Sequence, residues 1–151
     1  VRQIIGWALV LAQLVLLVGC VLPVGAQLWS APGVVTIVLR LVGGLFALAV
    51  IPLVLSLGPA ATPSPVPREE GALATTGPYG VVRHPVYTVL IVGAWCLALA
   101  TAHVGAVVAA LLLTLLLLVK AMWEERLLAE RFPDYPAYAR RVPRWIPRWR
   151  R

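Results

Sequence analysis

Apolar residues in this chain come in long runs, and the polar and charged residues are gathered between the runs instead of alternating with them. Ile4 to Leu22 carries no charge and stops at Pro23. Its length falls within the roughly 17 to 25 residues that a tilted membrane-spanning helix needs. Val34 to Leu57 is a second run, interrupted by Arg40, by the pair Gly43-Gly44, which lets another helix pack closely, and by Pro52. Val86 to Ala100 is shorter, and Thr101 to Gly105 reads as its turn. Ala106 to Val119 returns across the bilayer and continues past Lys120 into an amphiphilic extension ending near Arg131. The pattern predicts an all-α integral membrane protein with four transmembrane helices, at about 4–22, 34–57, 86–100 and 106–123. A single domain over residues 1–151 is expected, with a cytoplasmic connector at 58–85 and, at 124–151, a C-terminal helical extension and basic tail.

Composition agrees with that reading. Hydrophobic residues make up 61% of the 151 and mean hydropathy is +0.91, whereas a soluble domain is about 45–50% apolar with glycine counted. Charge then sets the expected orientation. Apart from Arg2 and Arg40, every Lys, Arg, Asp and Glu falls between Arg68 and Arg83 or between Lys120 and Arg151. Positive-inside counting therefore puts both termini, the connector and the tail on the cytoplasmic side, and leaves the short loops at Gln27 and His103 outside. Arg40, about 9 Å along its helix from Val34, is within snorkelling reach of the outer interface. The first run has a rival reading as a cleaved leader, since Arg2 precedes it and Val24-Gly25-Ala26 resembles a small-residue cleavage site. It is longer than the roughly 7–15 residues of a leader's apolar core, so a retained span is the expectation.

The formal charge of +7 raises the question of nucleic acid. The basic residues border apolar runs and bring no base-reading motif, so no nucleic-acid partner is expected and anionic membrane lipid is the counter-charge. Cys20 and Cys96 each lie inside an apolar run as small hydrophobes, and they form neither a disulfide pattern nor a metal-ligand spacing.

Two short stretches carry candidate chemistry: Gly77-Pro78-Tyr79-Gly80-Val81-Val82-Arg83-His84-Pro85-Val86-Tyr87, just before the third run, and Glu124-Glu125, just after the fourth. A hairpin whose legs advance 1.5 Å per residue, descending about 15 residues and climbing about 20, returns close to its starting depth. His84, Tyr87 and Glu124 are then neighbours. Pro85 suits the first position of a helix, which leaves His84 near its N-cap and the positive end of the dipole at that level. Taken singly, each residue has a bland role: His84 caps a helix, Tyr79 and Tyr87 belong to an interfacial belt, and Glu124-Glu125 is a solvated helix end. The ordered combination is what points to a site.

That combination resembles the membrane methyltransferase family of isoprenylcysteine carboxyl methyltransferase, whose wider relatives include phospholipid methyltransferases. The resemblance runs from about Leu73 to Pro147. It rests on Thr76-Gly77-Pro78-Tyr79, on Arg83-His84-Pro85-Val86-Tyr87, and on Lys120 followed by Glu124-Glu125 and Leu128. Phe132-Pro133-Asp134-Tyr135 with Tyr138, then Arg141-Val142-Pro143-Arg144-Trp145-Ile146-Pro147, complete it. The resemblance implies S-adenosyl-L-methionine as cofactor, held without a Rossmann fold between the connector and the last two spans, and a lipophilic small-molecule or lipid substrate. By position it implies cofactor contacts from Leu73, Ala74, Tyr79, His84, Pro85, Val86, Tyr87, Glu124 and Glu125, and substrate contacts from Lys120 and Arg141. It assigns no catalytic residue and no metal.

Methyl transfer from a sulfonium is an in-line displacement in which positive charge disperses, so such a site mainly positions reactants and excludes water. The residue types suit it: tyrosine ring faces for a cationic cofactor, Glu124 for its ammonium or ribose hydroxyls, and the helix start at Pro85 for its carboxylate. Two positions depart from the family pattern. Val89 stands where relatives commonly have Gly, and Lys120 where they often have Arg, whose planar fork grips a carboxylate as a lysine does not. The tail from Arg140 to Arg151 interleaves arginines with Trp145 and Trp149. It reads first as a membrane-surface anchor, and second as a segment that closes Arg141 or Arg144 over the site. The rival function is a non-catalytic membrane scaffold or subunit that binds anionic lipid.

Overall fold

Lipid offers backbone N–H and C=O groups no partner, so each long apolar run must satisfy them internally as a helix. The computed structural model describes residues 1–58, 62, 66 and 72–147. Within these lie α1 (Arg2–Gly19), α2 (Gly33–Leu55), α3 (Pro85–Thr101), α4 (Val104–Arg131) and α5 (Tyr135–Arg141), with a 3₁₀ turn at Gly77–Gly80 ahead of α3. No strand occurs among the described residues. By length and composition α1, α2 and α4 suffice to cross a membrane, and α3, with 17 residues, is a shorter apolar helix. These four helices match the four apolar runs, with α4 continuing unbroken through Glu124-Glu125 to Arg131. The connector prolines Pro59, Pro63, Pro65 and Pro67, the stretch Arg68-Glu69-Glu70, and the tail beyond Pro147 lie outside the described residues.

α3 and α4 form the central hairpin, α2 packs on α3, and α1 packs on α4. Small residues make the contacts close. Ala94 and Ala98 of α3 meet Ala106, Ala109 and Ala110 of α4 in a buried cluster with Cys20, Leu113 and Leu117. Apolar packing gains nothing over lipid tails in a bilayer, so close backbone approach and interhelical hydrogen bonds carry the association. Trp95 Nε1 donates to Thr114 Oγ1 at 3.1 Å across this seam. Outward, α1 and α2 present residues such as Ile4, Leu11, Leu41, Leu45 and Leu55, each well exposed. That surface suits acyl chains. Arg40 is also exposed, consistent with a side chain that runs to an interface.

The far end of the hairpin is tied to the α1–α2 loop. Ala102 takes the left-handed conformation, φ 59°, that turns the chain between α3 and α4. Leu28 N donates to Ala102 O at 2.8 Å, Val104 N to Ala26 O at 3.0 Å and Gly105 N to Val24 O at 2.9 Å. A Cβ on Gly105 would stand 2.8 Å from Val24 O, so this clip needs glycine.

Of the pair Gly43-Gly44, one glycine makes the close helix contact. A Cβ on Gly43 would lie 2.7 Å from Leu97 Cγ and 3.2 Å from Gly93 O, whereas one on Gly44 would meet nothing within 4 Å. Gly43→Leu should therefore lower stability by about 1–3 kcal/mol through overpacking, and Gly44→Leu should leave it nearly unchanged. Thermal unfolding of the two variants in detergent, followed by helical circular dichroism, reads the difference.

Candidate functional site

Two folding events bring the site together. Upstream, Gly77 at φ 59° opens the 3₁₀ turn that buries Tyr79, and the chain then enters α3 with His84 at the N-cap and Pro85 in its first turn, where proline's fixed φ is already helical. Downstream, α4 ends at Arg131 and α5 folds back. Tyr135, Tyr138 and Val142 pack with Leu73, Leu128 and Phe132 in a second buried cluster. Tyr138 donates its hydroxyl to Tyr79 O at 2.6 Å, which joins α5 to the 3₁₀ turn. Burial pushes the hydroxyls of Tyr135 and Tyr138 up to about 12 and raises that of Tyr79 further, so all three stay neutral, and that of Tyr135 accepts from Arg83 Nη1 at 3.5 Å.

Glu124 and Glu125 are adjacent on α4, and the helical rotation of about 100° per residue sends them to different neighbours. Glu125 is the hub of a buried cluster. Its Oε1 receives His84 Nε2 at 2.9 Å and Arg144 Nε at 2.8 Å, with Arg83 Nη1 at 3.1 Å, and its Oε2 receives Arg144 Nη2 at 2.5 Å. The Arg144 contact is the two-pronged fork that matches carboxylate geometry. The carboxylate in turn raises the guanidinium's pKa. Glu124 instead accepts from Tyr87 Oη at 2.8 Å, with His84 Nδ1 at 3.9 Å from the same oxygen. The Tyr87 ring stacks on His84, centroids 5.4 Å apart and planes 4° from parallel, and Lys120 Nζ sits 5.3 Å from the Tyr87 centroid.

A cavity of about 500 Å³ adjoins this cluster, within the roughly 300–1,000 Å³ of small-molecule sites. Its apolar walls include Val10, Leu14 and Leu17 of α1, Val50 and Val54 of α2, and Leu90 of α3. Leu73, Ala74, Tyr79, His84, Val86, Tyr87, Lys120 and Glu124 all border it. Pro85, Glu125 and Arg141, which the sequence also put at the site, are not among its lining residues. Pro85 is buried in the first turn of α3, Glu125 is turned into the arginine cluster, and Arg141 is exposed at the end of α5.

Through Pro147 the tail packs on the protein, with Arg144 turned inward and Arg141 exposed. Arg83 N donates to Pro143 O at 2.9 Å, His84 N to Arg144 O at 3.2 Å, and Trp145 lies against His84 with centroids 5.4 Å apart. The segment through Trp145 is thus strapped onto the Arg83-His84 corner, because prolines at 143 and 147 bar a helix and leave its backbone free to pair. Sequence reasoning missed two residues here. Arg83 lines the cavity and carries a buried Nε with no hydrogen-bond partner. Gln13 of α1 also lines it and accepts from Lys120 Nζ at 2.9 Å. Its signal was available, as the one amide in the apolar run Ile4 to Leu22.

The family model described as phospholipid methyltransferase matches residues 34–135, a stretch that holds α2, the connector, α3, α4 and both glutamates. Among curated proteins, the chain is similar to the cobalt-zinc-cadmium resistance protein CzcN of Cupriavidus metallidurans, 40% identical over 83 residues, covering 54% of this chain and 38% of the relative. It is also similar to the nickel-cobalt-cadmium resistance protein NccN of Alcaligenes xylosoxydans xylosoxydans, 38% identical over 82 residues, with the same coverage of 54% and 38%. The chain spans about two fifths of the length of these curated relatives. No solved structure matches it.

Removing one partner of a buried ion pair strands the others, so Glu125→Ala should cost about 3–5 kcal/mol. The loss combined with Arg144→Ala should be smaller than the sum of the single losses, because both act on one cluster. A double-mutant cycle on unfolding in detergent checks both statements.

Proposed function

The chain belongs to the phospholipid methyltransferase family, and from that membership we propose that it moves a methyl group from S-adenosyl-L-methionine to a lipophilic or amphiphilic acceptor at the cytoplasmic face of the membrane. The observation that carries the proposal is a cavity in which Glu124, Tyr87, His84 and Lys120 stand together among apolar walls drawn from α1, α2, α3 and α4. A scaffold that only bound lipid would gain nothing from burying this set of ionisable groups.

The residues present fit the cofactor. Glu124, held by the Tyr87 hydroxyl and facing the cavity, suits its ammonium or ribose hydroxyls. Leu73 and Ala74 offer backbone edge and apolar contact, and the buried Tyr79 offers its ring. When bound, S-adenosyl-L-methionine supplies an electrophilic methyl group on a positively charged sulfur. Tyr87 acts chiefly through Glu124, since its ring is already engaged by His84 and Lys120. Lys120, 2% exposed and held by Gln13, brings positive charge to the end of the apolar walls, where the head of an amphiphile would lie. The walls exclude water from the transfer and suit an acyl or isoprenoid chain entering from the bilayer. The cytoplasmic assignment rests on where the basic residues lie along the chain.

Calorimetric titration of the detergent-solubilised protein with S-adenosyl-L-methionine and with its demethylated product tests the reading. Saturable binding of both is expected, and no heat with either would sink the proposal. Glu124→Ala should weaken cofactor binding at least about tenfold, the usual worth of a hydrogen bond to a charged group. Wild-type affinity in that variant would remove Glu124 from the cofactor site.

A further inference from the structure

We propose that His84 is the proton acceptor of this site, oriented by Glu125, and that the methyl group therefore goes to a proton-bearing heteroatom (a free-base amine, a hydroxyl or a thiol) and not to a carboxylate. The inference rests on the methyltransferase reading above and deepens it by giving the acceptor a chemistry.

An ionised carboxylate only accepts hydrogen bonds. Arg144 and Arg83 both contact Glu125, which keeps that group in its anionic form, so the proton in the 2.9 Å contact with His84 belongs to Nε2. In the neutral ring the lone pair then sits on Nδ1. No hydrogen bond is made at Nδ1 among the described residues, and Glu124 Oε2 at 3.9 Å is beyond hydrogen-bond reach. The Nε2 edge meets Glu125, outside the cavity lining, whereas the Nδ1 edge is turned toward Glu124, which lines it. Tyr87 and Trp145 hold the ring in place with centroids 5.4 Å away on each contact. A base fixed by a third group, on a residue that itself lines a cavity, is the arrangement that activates a nucleophile.

The step balances. The acceptor's heteroatom forms a bond to the methyl carbon, the carbon–sulfur bond of the sulfonium donor breaks with its electron pair left on sulfur, and the acceptor's proton passes to His84 Nδ1. The donor's positive charge is lost as the imidazolium's appears. A carboxylate acceptor has no proton to give, and for it the lone pair at Nδ1 would be without a purpose.

His84 and His103 are the chain's two histidines, so histidine labelled with nitrogen-15 reports on both rings. His103 serves as the control, because its Nδ1 lies 2.6 Å from Thr101 O and must donate, the reverse tautomer. The full chain in detergent should show His84 protonated at Nε2 and bare at Nδ1, with His103→Asn assigning the signals. Methyl-labelled S-adenosyl-L-methionine incubated with the protein and a membrane lipid extract should give label that resists mild alkali. His84→Gln should lower kcat by about 100-fold or more, the worth of a general base, with a much smaller change in KM for the cofactor. Absence of cofactor binding by the wild type would fail the methyltransferase reading itself. A proton on His84 Nδ1, release of the label as methanol by alkali, or an unchanged kcat in His84→Gln would overturn the role of His84 and leave that reading standing.

Discussion

Glu125 joins three parts of the chain through its two carboxylate oxygens. It sits on α4, receives His84 and Arg83 from the segment entering α3, and receives the fork of Arg144 from the tail. A carboxylate buried to this degree is costly unless its lone pairs are filled, and here both oxygens are. The requirement works in reverse as well. Two arginines and a histidine near a membrane surface need an anion that competes with lipid phosphate, and Glu125 supplies one at fixed geometry. The backbone bonds from Arg83 and His84 to Pro143 and Arg144 then follow, since the side chains have already brought the two strands of chain alongside each other.

Helix geometry separates the work of the two glutamates. Side chains one residue apart on α4 diverge by about 100°, so a single dipeptide serves a structural cluster on one side and a cavity on the other. Tyr87 is the counterpart of this division on α3. Two residues after Pro85, its hydroxyl holds Glu124 while its ring stacks on His84, which is itself held by Glu125. The aromatic ring thus couples the two carboxylates, and displacement of either one would reach the other through it.

Most of the fold was legible because a bilayer leaves a long apolar run few alternatives. The four runs became α1 to α4, Pro85 began α3, and the hairpin brought His84 and Tyr87 to the glutamates as depth counting required. Eight of the residues named from the sequence border the cavity. The partners of the tail were harder to read. Arg141 and Arg144 are both basic and stand three residues apart, and sequence alone does not say that α5 ends at Arg141, leaving that side chain exposed, while the chain turns past buried Val142 to aim Arg144 inward. Gln13 stood out as the one amide of its apolar run, but its partner was hidden for a related reason. Its importance depends on α1 packing against α4 and not α2, and nothing in a uniformly apolar helix surface specifies its neighbour.

That choice of neighbour also explains why a cavity exists. The hairpin of α3 and α4 is sealed by alanines, but α1 and α2 lean on opposite helices of it, and the space between their ends is left to be lined by Leu14, Leu17, Val50 and Val54. In water such a gap would collapse, because burying those side chains would lower the free energy. In a bilayer the drive is absent, since lipid tails solvate leucine as well as another leucine does. The helices therefore need not close on one another, and the polar end of the gap, where Lys120 meets Gln13 and Glu124 meets Tyr87, is stabilised by its own hydrogen bonds. A pocket with an apolar body and a charged head is thus what a four-helix row with small-residue contacts at its centre leaves open at its edge.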